Sequence, residues 1–108
     1  MIRIVFATAA LLAASPAMAQ RVSTIDGNKL LGFCTSKTPD GCDAYISGVA
    51  DTIAAEGKAK APACIPPAVT GTQLRDVVIK FIKSHPETRQ LKAGVLTIRA
   101  LSAAFPCK

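Results

Sequence analysis

Residues 42–54, Cys-Asp-Ala-Tyr-Ile-Ser-Gly-Val-Ala-Asp-Thr-Ile-Ala, place Cys42, Tyr45, Ile46, Val49, Ala50, Ile53 and Ala54 at successive steps of three and four. Asp43, Ser47, Asp51 and Glu56 fall on the opposite side, so the stretch reads as one amphipathic α-helix. Asp40 stands where an N-cap carboxylate would accept the first free amides, with Asp43 in the favourable first turn. Gly57 supplies the stop, giving a helix from about Gly41 to Glu56.

The same period recurs on both sides. Leu74, Val77, Val78, Phe81 and Ile82 repeat it, opened by a capping-box pair, Thr70 and Gln73. Asp76 and Lys80 lie one turn apart on its outer face. Pro86 and Glu87 suit the first turn of a further helix, lined by Leu91, Val95, Ile98, Leu101 and Phe105 and closed by Pro106. A shorter helix from about Thr24 to Cys34 brings in Ile25, Leu30 and Leu31. Strand-like alternation is absent. The expected fold is all-α, a small four-helix up-and-down bundle.

The amino-terminal segment has a different logic. Arg3 precedes an uncharged apolar run from Ile4 to Ala14, Ser15-Pro16 ends it, and Ala17-Met18-Ala19 offers the small residues a signal peptidase reads. The run is too short for a bilayer span of roughly 20 residues. Cleavage after Ala19, before Gln20, would deliver residues 20–108 to the periplasm as a single domain without membrane insertion. Its loss removes Arg3 alone among the charged residues, leaving one fewer than the 13 basic residues against 7 acidic, a net charge of +5.

Cys34, Cys42, Cys64 and Cys107 are the four cysteines of the chain. An even number in a small exported domain implies two disulfides, which compensate for a thin core. Helix geometry selects among the three pairings. Cys42 opens the second helix and Cys64 follows its far end, separated by about 25 Å of helix at 1.5 Å per residue. In an up-and-down bundle the end of helix one meets the start of helix two, and the end of helix two meets the end of helix four. Cys34–Cys42 and Cys64–Cys107 satisfy that arrangement; either alternative makes one bond join opposite ends.

Catalytic chemistry finds little support. His85, the only histidine, sits at a helix junction before proline, where a capping or surface role is the natural one. The cysteines lack a CxxC pair, so no metal is expected. No glycine-rich phosphate loop is present, and the carboxylates are scattered over caps and outer faces. The chain reads as a non-enzyme without a cofactor. Gly48 and Gly94, placed within helices, read as points of close helix–helix approach. Lys58, Lys60, Lys80, Lys83, Arg89, Lys92 and Arg99 form a basic surface without interleaved aromatics, so nucleic acid is not an expected partner.

Three runs of residues carry a resemblance. They are Gly27-Asn28-x-Leu30-Leu31-x-x-Cys34, Cys42-x-x-Tyr45-Ile46-x-Gly48-Val49-x-Asp51 and Cys64-Ile65-Pro66. Val69-Thr70-x-x-Gln73-Leu74, Val77-Val78, His85-Pro86-Glu87-x-Arg89, Ala100-Leu101 and Phe105-Pro106-Cys107 extend it. Together they resemble the Rap/Tai family of immunity proteins across nearly all of residues 20–108. Gln90 departs from the histidine often found after the Arg89 position. The resemblance implies a small helical protein, dimeric in characterised members, that blocks the active-site groove of a peptidoglycan amidase toxin delivered by type VI secretion.

The matching residues are structural, so the expected contact surface comes from the loop at 57–69. Proline stiffens it and Cys64 tethers it, so it would lose little freedom on docking. Lys58, Lys60, Pro62, Ile65, Pro66 and Pro67 are its candidate partner-binding residues, with the two lysines steering toward an acidic groove. The other function class open to an exported helical domain is an envelope stress chaperone or accessory binding protein. Few acidic groups and one histidine make a pH-driven version of that activity weak.

Overall fold

The computed structural model describes residues 24–108; the leader expected over residues 1–19 lies outside them. Four α-helices follow one another: α1 (Gly27–Cys34), α2 (Asp40–Ala55), α3 (Gly71–Ser84) and α4 (Ala93–Ala104). A 3-10 turn, Pro86–Thr88, lies between the last two. Consecutive helices pack most extensively on each other, and α1 also reaches both α3 and α4. Among the described residues there is no strand, as the helical period implies.

The core is the inner stripe of each helix. Leu30 from α1, Cys42, Ile46 and Ile53 from α2 and Leu74, Val78 and Ile82 from α3 belong to one buried cluster. Steps of four or seven keep these side chains in register along one face. Each buried leucine or isoleucine contributes roughly 1.5–3 kcal/mol by leaving water. Both disulfides have the pairing that helix geometry selects, Cys34–Cys42 and Cys64–Cys107.

Helix α3 starts as its sequence announces. Thr70 Oγ1 accepts from the Gln73 amide at 3.2 Å, and Gln73 Oε1 accepts from the Thr70 amide at 2.8 Å. Helix α2 starts one residue earlier than expected. Asp40 is its first helical residue, and Pro39, without a side-chain cap, holds the N-cap position. Gly57 ends this segment with φ at +77°, a conformation that costs glycine nothing.

Two expectations fail at one place. Helix α1 begins at Gly27 rather than Thr24, capped by the Asp26 carboxylate on the Lys29 amide at 2.9 Å. Helix α4 begins at Ala93 rather than Pro86. A helix continuous from Pro86 would bond the Ala93 amide to the Arg89 carbonyl. Instead the Ala93 amide donates to Ile25 O at 2.9 Å, and the carbonyls of Arg89 and Leu91 accept from the Asn28 and Gly27 amides. The segment entering α1 has captured the backbone groups that would have extended α4.

The face that α4 turns to the core also differs from the expected one. Ala93, Leu96, Thr97, Ala100 and Leu101 are buried, whereas Val95 and Ile98, expected to line the core, are 42% and 39% exposed. Thr97 is accommodated because its hydroxyl donates to Ala93 O at 2.8 Å. Asp76 and Lys80 do not form the expected pair. Arg75 instead joins Asp43 across α2 and α3 with two bonds of 3.0 and 2.8 Å.

Candidate functional site

The sequence between α2 and α3 can form neither helix nor strand, because Pro62, Pro66 and Pro67 lack amide donors. Its shape comes from local turns and from α4. The amides of Lys60 and Ala61 both donate to Gly57 O, at 3.1 and 2.9 Å, and the Val69 amide closes a turn on Pro66 O at 3.1 Å. Between these turns the chain is tied to the end of α4. The Cys64 amide donates to Phe105 O at 2.8 Å, Ser102 Oγ donates to Pro62 O at 2.8 Å, and the Cys64–Cys107 disulfide secures the junction.

This segment and the last turns of α2 enclose a groove of about 420 Å³. Ala50, Ile53 and Ala54 form its helical wall, and Gly57, Lys58, Ala61 and Ala63 to Pro67 form the other. Lys58 is the sole charged group in this lining, so the groove is apolar with a cation at its rim. Its volume suits an inserted apolar side chain or a short turn of a partner.

Of the expected contact residues, Lys58, Ile65, Pro66 and Pro67 line this groove together with Cys64. Lys60 and Pro62 do not. Both are exposed, and Pro62 turns its carbonyl to Ser102. The α2 wall was not anticipated, although Ala50 and Ala54, one turn apart and small, are the signal that space is left beside them.

A second groove of about 320 Å³ runs between the ends of α3 and α4. Val77, Phe81 and His85 flank it, and Ala100, Ala103 and Ala104 form its floor. His85 is committed to structure. Its Nδ1–H donates to Phe81 O at 2.8 Å, and its ring stacks on Phe81 with centroids 4.2 Å apart. The capping role expected for His85 is the one it fills.

Arg89 closes the other side of the same helix end. Its Nε donates to Ile82 O at 3.2 Å and its Nη2 to Lys83 O at 3.4 Å. Carbonyls in the last turn of a helix have no partner within it, and a guanidinium supplies donors with favourable charge. His85 and Arg89 therefore act together as the C-terminal cap of α3. The glycines divide differently from expectation. A Cβ on Gly48 would meet nothing within 4 Å, and one on Gly94, at the second position of α4, would lie 3.4 Å from the Tyr45 hydroxyl.

Among the described residues no group of three or more His, Cys, Asp or Glu side chains is placed to hold a metal ion. No helix among them is long and apolar enough to cross a membrane. What the geometry offers is an apolar groove with a basic rim. The family model of the Rap1a immunity proteins matches residues 26–107. No curated protein and no solved structure matches the chain.

Proposed function

Because the chain belongs to the Rap1a immunity protein family, we propose that it protects its producer by binding and inhibiting a peptidoglycan amidase toxin in the periplasm. Immunity proteins act by binding a toxin, and that role needs no catalytic group of their own. The amidase target and the link to type VI secretion follow from the resemblance carried by the cysteine, capping and proline motifs. Two disulfides fit an oxidising compartment, and cleavage after Ala19 is the route proposed to it.

The observation that carries the mechanism is the tethered wall of the groove. Residues 61–67 are held by one covalent bond and two hydrogen bonds to α4, and they present Ile65, Pro66 and Pro67 beside Lys58. A segment already fixed in shape loses little entropy on docking. We assign Ile65, Pro66 and Pro67 to steric blockage of the toxin's active-site cleft, and Lys58 with Lys60 to attraction toward its acidic rim. Dimerisation belongs to the same proposal, and exposed Val95 and Ile98, adjacent on one face of α4, give it an apolar surface.

Residues 20–108, purified oxidised, are to be titrated into an amidase encoded beside this protein while cleavage of peptidoglycan peptides is followed. Stoichiometric loss of cleavage is expected. Lys58→Glu and Pro66→Gly, both at exposed positions, should weaken inhibition by roughly tenfold or more, equivalent to about 1.4 kcal/mol each. No binding at micromolar concentration sinks the proposal. Inhibition indifferent to both substitutions moves the contact surface elsewhere.

A further inference from the structure

The two disulfides differ in what surrounds them. Cys34 and Cys42 are 5% and 0% exposed, within the core where α1 meets α2. Cys107 is exposed and Cys64 half-buried, where the groove wall meets the end of α4. Thiol–disulfide exchange begins when a thiolate reaches a disulfide sulfur, so access governs which bond opens in the folded protein. A reductant meets Cys64–Cys107 at the surface, while Cys34–Cys42 is shielded until the helices part.

Apart from the exposed bond, the segment is held mainly by contacts open to solvent. Among residues 57–69 only Ala63 is buried. Besides the disulfide, its ties to α4 are the Cys64 amide bond to Phe105 and the Ser102 bond to Pro62. Few buried apolar contacts and solvent-accessible hydrogen bonds mark a region of low local stability. Ala63 belongs to the buried core, and Ala61, Ile65 and Val69 pack partly buried against it.

We propose that Cys64–Cys107 is a redox latch on the groove, opened in the folded protein by an envelope dithiol reductant. One thiolate of the reductant attacks the Cys107 sulfur and displaces the Cys64 thiolate, giving a mixed disulfide. The second thiol then attacks that bond and releases Cys107. Two electrons and two protons pass to the protein, which gains two thiols, while the reductant becomes a disulfide. Residues 57–69 then keep only the Cys64 and Pro62 hydrogen bonds and their packing on the core against the end of α4, and the outer wall of the groove loosens. The effect on inhibition rests on the groove being the toxin-facing surface; the order of reduction does not.

The test uses residues 20–108 with a graded series of dithiothreitol, quenched by alkylation and mapped by peptide mass spectrometry. Cys64 and Cys107 should be labelled roughly tenfold faster than Cys34 and Cys42, with far-UV circular dichroism unchanged and amide exchange raised across 57–69. Simultaneous opening of both bonds, or earlier opening of Cys34–Cys42, overturns the latch. A Cys64→Ser/Cys107→Ser variant that keeps oxidised-like protection in the loop overturns it independently. Oxidised protein that fails to inhibit the amidase refutes the functional assignment alone. Where Lys58→Glu does weaken inhibition, reduced protein that inhibits as well as oxidised protein overturns the latch's control of inhibition.

Discussion

Gly27 packs so tightly against Arg89 that a Cβ on the glycine would lie 2.8 Å from the Arg89 carbonyl oxygen and would also collide with Leu96 Cδ1. The contact sits where the start of α1 crosses the turn before α4, and the Gly27 amide bonds to Leu91 O there at 3.0 Å. The obstacle on one side is backbone, which cannot rotate away as a flexible side chain would.

Gly27→Ala should therefore destabilise the protein by about 1–3 kcal/mol, the usual cost of forcing volume into a packed site. Gly48→Ala is the matched control. It lies within α2 with open space around the added methyl, so it should gain about 0.5–1 kcal/mol by removing glycine's backbone freedom. Urea unfolding of the two variants measures both. Equal effects of one sign would show that the junction yields.

Arg89 has a second task at that junction, since its guanidinium caps α3 at Ile82 and Lys83. Arg89→Met keeps much of the aliphatic stem and removes the donors. A loss of about 1–2 kcal/mol is expected, toward the low end of charged hydrogen bonds because the site is half-buried. Arg89→Lys should restore less than half, because a single ammonium does not reproduce the spaced Nε and Nη2 donors. A thermal melt of each variant reads this directly. Full rescue by lysine would mean that charge alone matters at the helix end.

What was legible beforehand followed the range of the interactions. The capping box at Thr70 and Gln73 and the stop at Gly57 are local, and they stand as read. The disulfide pairing is long-range, yet helix length and alternating direction were enough to select it. The start of α4 was not readable, because Pro86 and Glu87 satisfy every local rule for a first turn. The deciding bonds come from residues 25–28, some 60 positions away. The exposure of Val95 and Ile98 was not readable either, because their apolar side chains fit the helical period as well as the buried stripe does. The groove was half legible: proline and Cys64 marked the loop, but only packing showed that Lys60 and Pro62 lie outside its lining.

The Arg75–Asp43 pair joins two helices through partly exposed groups, with side chains 19% and 34% accessible. A single guanidinium nitrogen, Nη1, donates to both carboxylate oxygens, and solvent screening limits what this contributes. A double-mutant cycle with Arg75→Met and Asp43→Asn should give a coupling of about 0.5–1 kcal/mol that shrinks between 0.05 and 0.5 M salt, as screening over roughly 10 Å or less requires. A coupling above about 2 kcal/mol, or one indifferent to salt, would identify the pair as a shielded element of the core.

Tyr45 is the only tyrosine in the chain, so its ionisation can be followed by ultraviolet absorbance without interference. Burial between α2 and the start of α4 raises its pKa above the ordinary value of 10.0, because the phenolate would lose hydration there. In the unfolded chain the phenol ionises at about 10. Between that pH and its higher folded value the native state therefore holds more proton than the unfolded state. Stability falls with rising pH wherever the native state binds the extra proton, so this contribution is intact below pH 10 and declines above it. The folded protein should show a phenolate midpoint above 10, returning to about 10 in concentrated urea. Tyr45→Phe should flatten the alkaline loss of stability over that same window. A native midpoint at or below the urea value would mean that water reaches the hydroxyl freely and that the packing of Tyr45 against α4 is looser than described.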